Sequence, residues 1–115
     1  MGLEAEVQKA IMAYLEMKGH LAFRINTGAF GFSYKGRKRF MRTAPKGFPD
    51  IIGVEKGTGR AFAIEVKRPA VVIEGKKKHK SYPSKEQKEM LARFSSVGAL
   101  ALVAYSVDDV IDAGL

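Results

Sequence analysis

The sequence contains no cysteine and no tryptophan. Without thiols the chain cannot form disulfides, thiolate metal sites or a cysteine nucleophile. It also lacks an apolar run of the roughly 18 residues that a membrane span needs. The opening residues 1–6 do not have the basic-then-apolar order of a secretion signal. We therefore expect an intracellular, cytoplasmic protein without a membrane partner.

Acidic residues are in the minority, because 12 Asp and Glu stand against 20 Lys and Arg and leave a formal net charge of +8. Hydrophobic residues still make up 46% of the 115 residues, which predicts one folded domain spanning residues 1–115. A basic folded domain favours a polyanionic partner such as nucleic acid. A basic surface that binds nothing is the alternative.

Apolar spacing and turn residues predict helices alternating with strands. The predicted helices are 3–18, 84–96 and 107–113, and the predicted strands are 21–26, a hairpin over 30–42, 50–54, 60–67 and 99–105. The lysine-rich segment 70–83 is predicted to be a loop. The order α-β-(ββ hairpin)-β-β-α-β-α indicates an α/β fold with a mixed β-sheet flanked by helices.

The chemistry-bearing pattern is Asp50, followed after fourteen residues by Glu65-Val66-Lys67. Alternate side chains of a strand point to the same face, so Glu65 and Lys67 project together. If strands 50–54 and 60–67 pair as a hairpin, Asp50 can lie beside Glu65. On the Glu-x-Lys triplet alone, a solvated surface strand is the simpler interpretation; adding Asp50 on the adjoining strand favours a site.

Two converging carboxylates are natural ligands for Mg²⁺ or Mn²⁺, which bind through one or two carboxylates and leave room for water and a phosphate. The Val66 carbonyl, on the same strand edge, is a candidate further ligand. Lys67 would then orient the attacking water or stabilise the charge of the transition state. The pattern predicts metal-dependent hydrolysis of a phosphodiester and no small-molecule cofactor.

The motifs Gly47-Phe48-Pro49-Asp50 and Ala63-Ile64-Glu65-Val66-Lys67 resemble the PD-(D/E)-x-K nuclease superfamily, and within it the virus-type replication-repair nuclease (VRR-NUC) domain. Three shorter pieces fit the same order, namely Glu4-Ala5-Glu6-Val7-Gln8, Phe23 to Gly28, and Ser84 to Gln87. The resemblance covers nearly the whole chain. It implies a restriction-endonuclease-like core and a single VRR-NUC-like nuclease domain.

The resemblance also implies residue roles. It assigns metal binding to Asp50, Glu65 and the Val66 carbonyl, and catalysis to Lys67. It further implies a glutamate of the first helix near the metal, for which Glu4 is the first choice and Glu6 the second, and an assisting glutamine, which Gln87 matches. Acids at a helix start also complement the helix dipole, and Gln87 stands where a capping box with Ser84 would use it.

Two basic segments, 35–46 and 67–85, flank this pattern in the sequence, and Glu74 is their only acid. Phosphate contacts fix register without reading bases, so we expect recognition of DNA shape more than of sequence. The predicted nucleic-acid-binding residues are Lys35, Arg37, Lys38, Arg39, Arg42, Lys46, Arg68, Lys76, Lys77, Lys78 and Lys80. The aromatic residues Phe30, Phe32, Tyr34 and Phe40 would either stack on unpaired bases or form the core of the hairpin.

Together these features and the resemblance predict a Mg²⁺- or Mn²⁺-dependent deoxyribonuclease, a structure-selective endonuclease acting on flaps or four-way junctions. The resemblance alone implies a phage or bacterial protein and a role in phage DNA processing or repair. Symmetrical cutting of a junction would require a homodimer. The alternatives are a non-catalytic DNA-binding protein and an RNA-directed nuclease.

Overall fold

The structure, a computed structural model, describes residues 2–25, 29–42 and 44–115, with the backbone alone for 29–34 and 37–42. Its elements follow the predicted order with one addition. In chain order they are α1 (Leu3–Met17), β1 (Leu21–Arg24), β2 (Ala29–Tyr34), β3 (Arg37–Arg42), β4 (Ile51–Val54), β5 (Ala61–Val66), β6 (Val71–Ile73), β7 (Lys76–Lys78), α2 (Lys85–Ser96), β8 (Leu100–Ala104) and α3 (Val107–Asp112). Among the described residues no helix is long and apolar enough to cross a bilayer.

The central element is a four-stranded sheet in the order β1-β4-β5-β8. Strands β1, β4 and β5 pair antiparallel, whereas β5 and β8 pair parallel, so the sheet is mixed. The crossover from β5 to β8 runs through α2, as a parallel connection requires. The predicted α/β fold with a mixed sheet flanked by helices is therefore confirmed at this level.

Two helices cover one face of the sheet and the third covers the other. Ile11 and Leu15 of α1 and Val110 of α3 pack with Phe62 and Ile64 of β5 in the buried core. Leu91 of α2 is buried as well but lies outside that cluster. This division matters for the site, because residues 63 and 65 of β5 point away from the α1 face.

The predicted loop over 70–83 is wrong in part, because β6 and β7 form a short antiparallel hairpin within it. Three β-branched residues form the first arm, and Glu74 and Gly75, both with positive φ, make the two-residue turn that such hairpins favour. The lysine run had indicated only a solvated segment. It forms the second arm instead.

The predicted basic hairpin exists as β2 paired with β3, closed by Lys35 and Gly36, which also have positive φ. Its proposed stacking residues and its four basic arm residues have side chains outside the described part of the structure; they are Phe30, Phe32, Tyr34, Phe40, Arg37, Lys38, Arg39 and Arg42. Residues 26–28, the end of one piece that resembles VRR-NUC, also lie outside it.

Candidate functional site

Asp50 stands one residue before β4, where the strand register brings it opposite Glu65. The pairing of Ile51 with Ile64 continues by one step to this carboxylate pair. The Asp50 carbonyl accepts a hydrogen bond from the Ile25 N–H at 2.8 Å, so its backbone is anchored to the residue that follows β1. Its Oδ2 accepts the Val66 N–H at 2.8 Å. The carboxylate thereby replaces a backbone acceptor at the point where the β4–β5 ladder ends.

Glu65 lies on β5, in the interior of the sheet, and is only 2% exposed. Its Oε1 accepts a hydrogen bond from Gln87 Nε2 at 2.9 Å and lies 3.8 Å from Lys67 Nζ. Its Oε2 is buried and has no hydrogen-bond partner. Buried carboxylate oxygens are normally satisfied, so an orphaned one indicates a place for a ligand.

The pKa of Glu65 is raised to about 8. Burial is the largest cause, and the charge of Asp50 adds to it. Lys67 acts in the opposite direction, and the charge of Glu4 raises the pKa further. Two acids thus share a space that disfavours two negative charges, and a cation would relieve that repulsion.

Lys67 completes the cluster that the Glu-x-Lys spacing predicts. Its side chain is 14% exposed, so the ammonium group is mostly enclosed beside Glu65. The Lys67 N–H donates to the Ala104 carbonyl at 3.0 Å, which extends the parallel ladder past the end of β5. Backbone pairing therefore fixes the position from which the side chain reaches the carboxylates.

Gln87 links the site to the start of α2. Ser84 caps this helix, its hydroxyl accepting from the Gln87 N–H at 3.2 Å while Gln87 Oε1 accepts from the Ser84 N–H at 2.8 Å. The capping interaction occupies the amide oxygen, which leaves the amide nitrogen free to donate to Glu65. The two interpretations of Gln87 are thus compatible, since one side chain makes both contacts.

A glycine holds the loop before Asp50 against the same helix start. Gly47 has φ +82, and a Cβ at this position would lie 2.6 Å from the backbone carbonyl of Glu86. Only glycine permits both the left-handed conformation and this approach. The loop that leads into Asp50 and the helix that carries Gln87 are therefore in direct backbone contact.

The glutamates of the first helix contribute less directly than the carboxylate pair. The charge of Glu4 reaches Glu65, as its effect on the Glu65 pKa indicates. Across residues 2–25 and 44–115, however, no three acidic or histidine side chains converge as a metal-binding group. Gln8, one turn after Glu4, instead accepts a hydrogen bond from Arg24 at 3.3 Å. Nothing in the described contacts ties Glu6 to the carboxylates.

The residues present nevertheless fit a hard divalent cation. Mg²⁺ needs only one or two protein carboxylates, and Asp50 and Glu65 supply them along with the unpartnered Oε2. The N–H and C=O of one strand residue point to the same side, and the Val66 N–H points to Asp50. The Val66 carbonyl therefore points to the Asp50 side of β5, where it could serve as a third oxygen ligand.

The predicted nucleic-acid-binding residues have different roles in the fold. Arg68 donates to the His79 carbonyl at 2.8 Å, and its backbone N–H to Ser81 Oγ at 2.9 Å, so it fastens the segment that carries β6 and β7. Lys80 Nζ lies over the rings of Tyr82 and Tyr105, at 5.4 Å and 5.0 Å from their centroids. Sequence spacing does not predict the contacts of either Arg68 or Lys80.

The other basic side chains of this set that the structure describes lie at the surface. Lys46 is 3.9 Å from Glu86, and both side chains are largely solvent-exposed. Lys76, Lys77 and Lys78 are exposed along β7, and Lys35 is exposed at the β2–β3 turn. The lysines of β7 therefore place three accessible positive charges nine to eleven positions after Lys67.

Comparison with known proteins found no matching family model, no matching curated protein and no matching solved structure. The function of this chain is inferred from its own residues and geometry.

Proposed function

We propose that this protein is a metal-dependent nuclease that hydrolyses DNA phosphodiester bonds, with the restriction-endonuclease-like core and VRR-NUC-type site that its motifs resemble. One observation carries the proposal. A buried glutamate with an unpartnered oxygen faces a second carboxylate and lies 3.8 Å from a lysine ammonium group. An arrangement so costly in an apolar interior is typical of a functional site.

Asp50, Glu65 and the Val66 carbonyl would hold the cation, Mg²⁺ or Mn²⁺. When bound, such an ion supplies Lewis-acid activation of a phosphate and of the attacking water. Lys67 presents its ammonium group to the same space, where it orients the nucleophile and stabilises negative charge on the phosphate oxygens. Gln87 donates to Glu65 Oε1 and so fixes which oxygen of Glu65 faces the ligand.

The charge distribution supports a nucleic acid as the substrate. A net charge of +8 attracts a polyanion, and the exposed lysines of β7 follow the site residue Lys67 by about ten positions in the chain. Contacts of this kind bind phosphates whatever the bases, which suits recognition of a branch by its shape. A flap or a four-way junction is therefore the proposed substrate, with two copies of the chain required to cut a junction symmetrically.

The decisive experiment measures cleavage of plasmid, flap and four-way-junction DNA in Mg²⁺, Mn²⁺ or EDTA. We expect cutting of branched DNA with either metal and none in EDTA. Matched RNA branches test the RNA-directed alternative, which equal cutting of RNA would favour. Tight binding of DNA without cutting in any metal would favour the non-catalytic alternative.

A second measurement tests the site without using activity. Titration calorimetry with Mn²⁺ should detect binding to the wild type and none to the double variant Asp50→Ala, Glu65→Ala. The single variant Lys9→Ala, at an exposed position of α1, serves as the control and should bind as the wild type does. Retained binding by the double variant would place the metal elsewhere and overturn the assignment.

A further inference from the structure

An apolar groove opens beside the candidate site, between the loop before Asp50 and the second half of α2. Its volume is about 370 Å³, in the range of pockets that hold small organic groups. The residues that line it are Pro45, Phe48, Met90, Arg93, Phe94, Ser96 and Val97. The proposed chemistry of the carboxylate pair uses none of them.

The walls of the groove are held in place before any ligand arrives. The Phe48 N–H donates to the Pro45 carbonyl at 3.1 Å, which closes a turn. Gly47 within that turn packs directly on the backbone of Glu86, which places the turn against α2. The rings of Phe48 and Phe94 meet edge to face with centroids 5.6 Å apart. A planar group can therefore enter without first ordering a loop.

The groove and the carboxylate site share two elements. Phe48 stands two residues before Asp50, and Phe94 stands two turns after Gln87 on α2. Seven residues of helix span about 10 Å, so the groove lies about that far from the contact between Gln87 and Glu65. One or two nucleotides of an extended strand would cover this distance. Both sites also lie on the face of the sheet that α2 covers.

The lining selects the chemistry of the occupant. Aromatic and apolar side chains offer a flat surface to a ring system, while Arg93 on α2 adds positive charge to the lining. In the described part of the chain no acidic side chain pairs with Arg93. A ring flanked by a negatively charged backbone fits this combination, and an unpaired nucleobase has both features.

We propose that this groove holds one unpaired base of the DNA strand, splayed out beside the phosphodiester that is cut. The inference rests on the proposed nuclease function and specifies its substrate as DNA with an unpaired nucleotide near the branch. Base stacking on a phenylalanine ring tolerates any base. The groove would therefore select for an unpaired position without selecting a sequence.

The test is an abasic scan of a flap substrate in EDTA, with affinity measured by fluorescence anisotropy. Removing one base at a time should lower wild-type affinity about tenfold at one position near the branch, since tenfold corresponds to about 1.4 kcal/mol and a stacked base contributes about that much. A 5-iodouracil placed at the same position should crosslink to the peptide that contains Phe48 or Phe94.

Two variants remove the groove in different ways. Phe94→Leu keeps an apolar side chain but no ring, and Val97→Glu places a carboxylate at a position that is 83% exposed and so leaves folding intact. In both variants, removing a base should lower the affinity equally little at every position of the scan. The control Ile111→Glu, on α3 at 46% exposure, should keep the wild-type pattern.

The outcomes separate this inference from the function on which it rests. Cleavage in Mg²⁺ with a flat abasic scan in the wild type would overturn the groove assignment alone. Absence of cleavage and of DNA binding would overturn both. A wild-type dimer that Val97→Glu converts to monomer, together with a flat scan, would show that a second copy of the chain covers the groove instead.

Discussion

The two faces of the central sheet differ in what their side chains do. Toward α1 and α3, Phe62, Ile64 and Val66 of β5 are fully buried among apolar neighbours. On the other face, Glu65 is equally buried but lies opposite Asp50 and accepts a hydrogen bond from Gln87. One strand thus alternates between residues that stabilise the fold and a residue whose burial costs stability. The contrast teaches that the acidic face persists because the apolar face supplies the folding free energy.

The largest effect is expected on the acidic face. Lys67→Ala should lower the rate of DNA cleavage about 100-fold to 10,000-fold, because it removes the positive charge beside the reacting phosphate. Single-turnover cleavage in Mg²⁺ measures this, and the exposed Lys9→Ala variant is the control. If Lys67→Ala cuts normally and folds normally, the catalytic role of Lys67 is wrong.

Truncation on the apolar face should affect folding instead. Phe62 is 1% exposed, and its ring fits so closely over Gly53 that a Cβ there would lie 2.2 Å from it. Phe62→Ala should lower the free energy of unfolding by about 3 to 5 kcal/mol, whereas Phe62→Leu should cost less because it leaves a smaller cavity. Urea unfolding measures both. Equal losses in the two variants would contradict a packing role for the ring.

The pH dependence of stability tests the acidic face, because Glu65 on that face has a shifted pKa. The folded-state pKa of Glu65 is about 8 against an ordinary 4.5. Between pH 4.5 and 8, Glu65 therefore keeps its proton in the native state, whereas the unfolded chain has already released it. This contribution to stability is complete below pH 4.5 and is lost as the pH rises through 8. In EDTA the free energy of unfolding should fall by a few kcal/mol over that window, because one pKa unit corresponds to about 1.4 kcal/mol.

Glu65→Gln should remove most of this slope, since the amide mimics the protonated acid and cannot ionise. Glu55 supplies the control. A hydrogen bond from Thr58 lowers the pKa of Glu55, so its titration contributes in the opposite direction. Urea unfolding of Glu55→Gln should keep the falling slope. A slope that survives in Glu65→Gln would mean that another group titrates.

The smallest effect compares two helix caps, one on each face. Ser84 caps α2 and orients Gln87, whereas Ser106 caps α3 and accepts from the Asp109 N–H at 3.3 Å. Replacing either with alanine should cost about 1 kcal/mol of stability. Only Ser84→Ala should also slow cleavage, by a few fold, because it removes the hydroxyl that accepts the Gln87 backbone N–H and so loosens the first turn of the helix from which the Gln87 amide reaches Glu65. Equal activity in the two variants would show that the capping box has no part in the site.

Much of the fold could be predicted because its signals are local. Apolar spacing located α1, and the serine–glutamine pattern located the start of α2. The β6–β7 hairpin was missed, because a lysine run indicates solvent exposure and does not reveal that a β-branched run beside it can pair. Short hairpins depend on a turn whose geometry is set by two residues, here Glu74 and Gly75.

The site could be predicted in part. Strand alternation and the hairpin register led to Asp50 facing Glu65. That Glu65 is buried, and that Gln87 reaches it while capping a helix, depends on where α2 lies. Residues 22 positions apart meet only after the crossover has packed.

The sequence by itself determined which residues alternate along β5 and which of them carry charge, because a strand's two-residue period is a property of the local backbone. Only the tertiary structure decided that α2 would cover the acidic face. That choice brings Gln87 to Glu65, raises the pKa of the buried acid and forms the groove at Phe48 and Phe94. Packing of distant elements produces these features, and short-range preferences do not specify which surfaces meet.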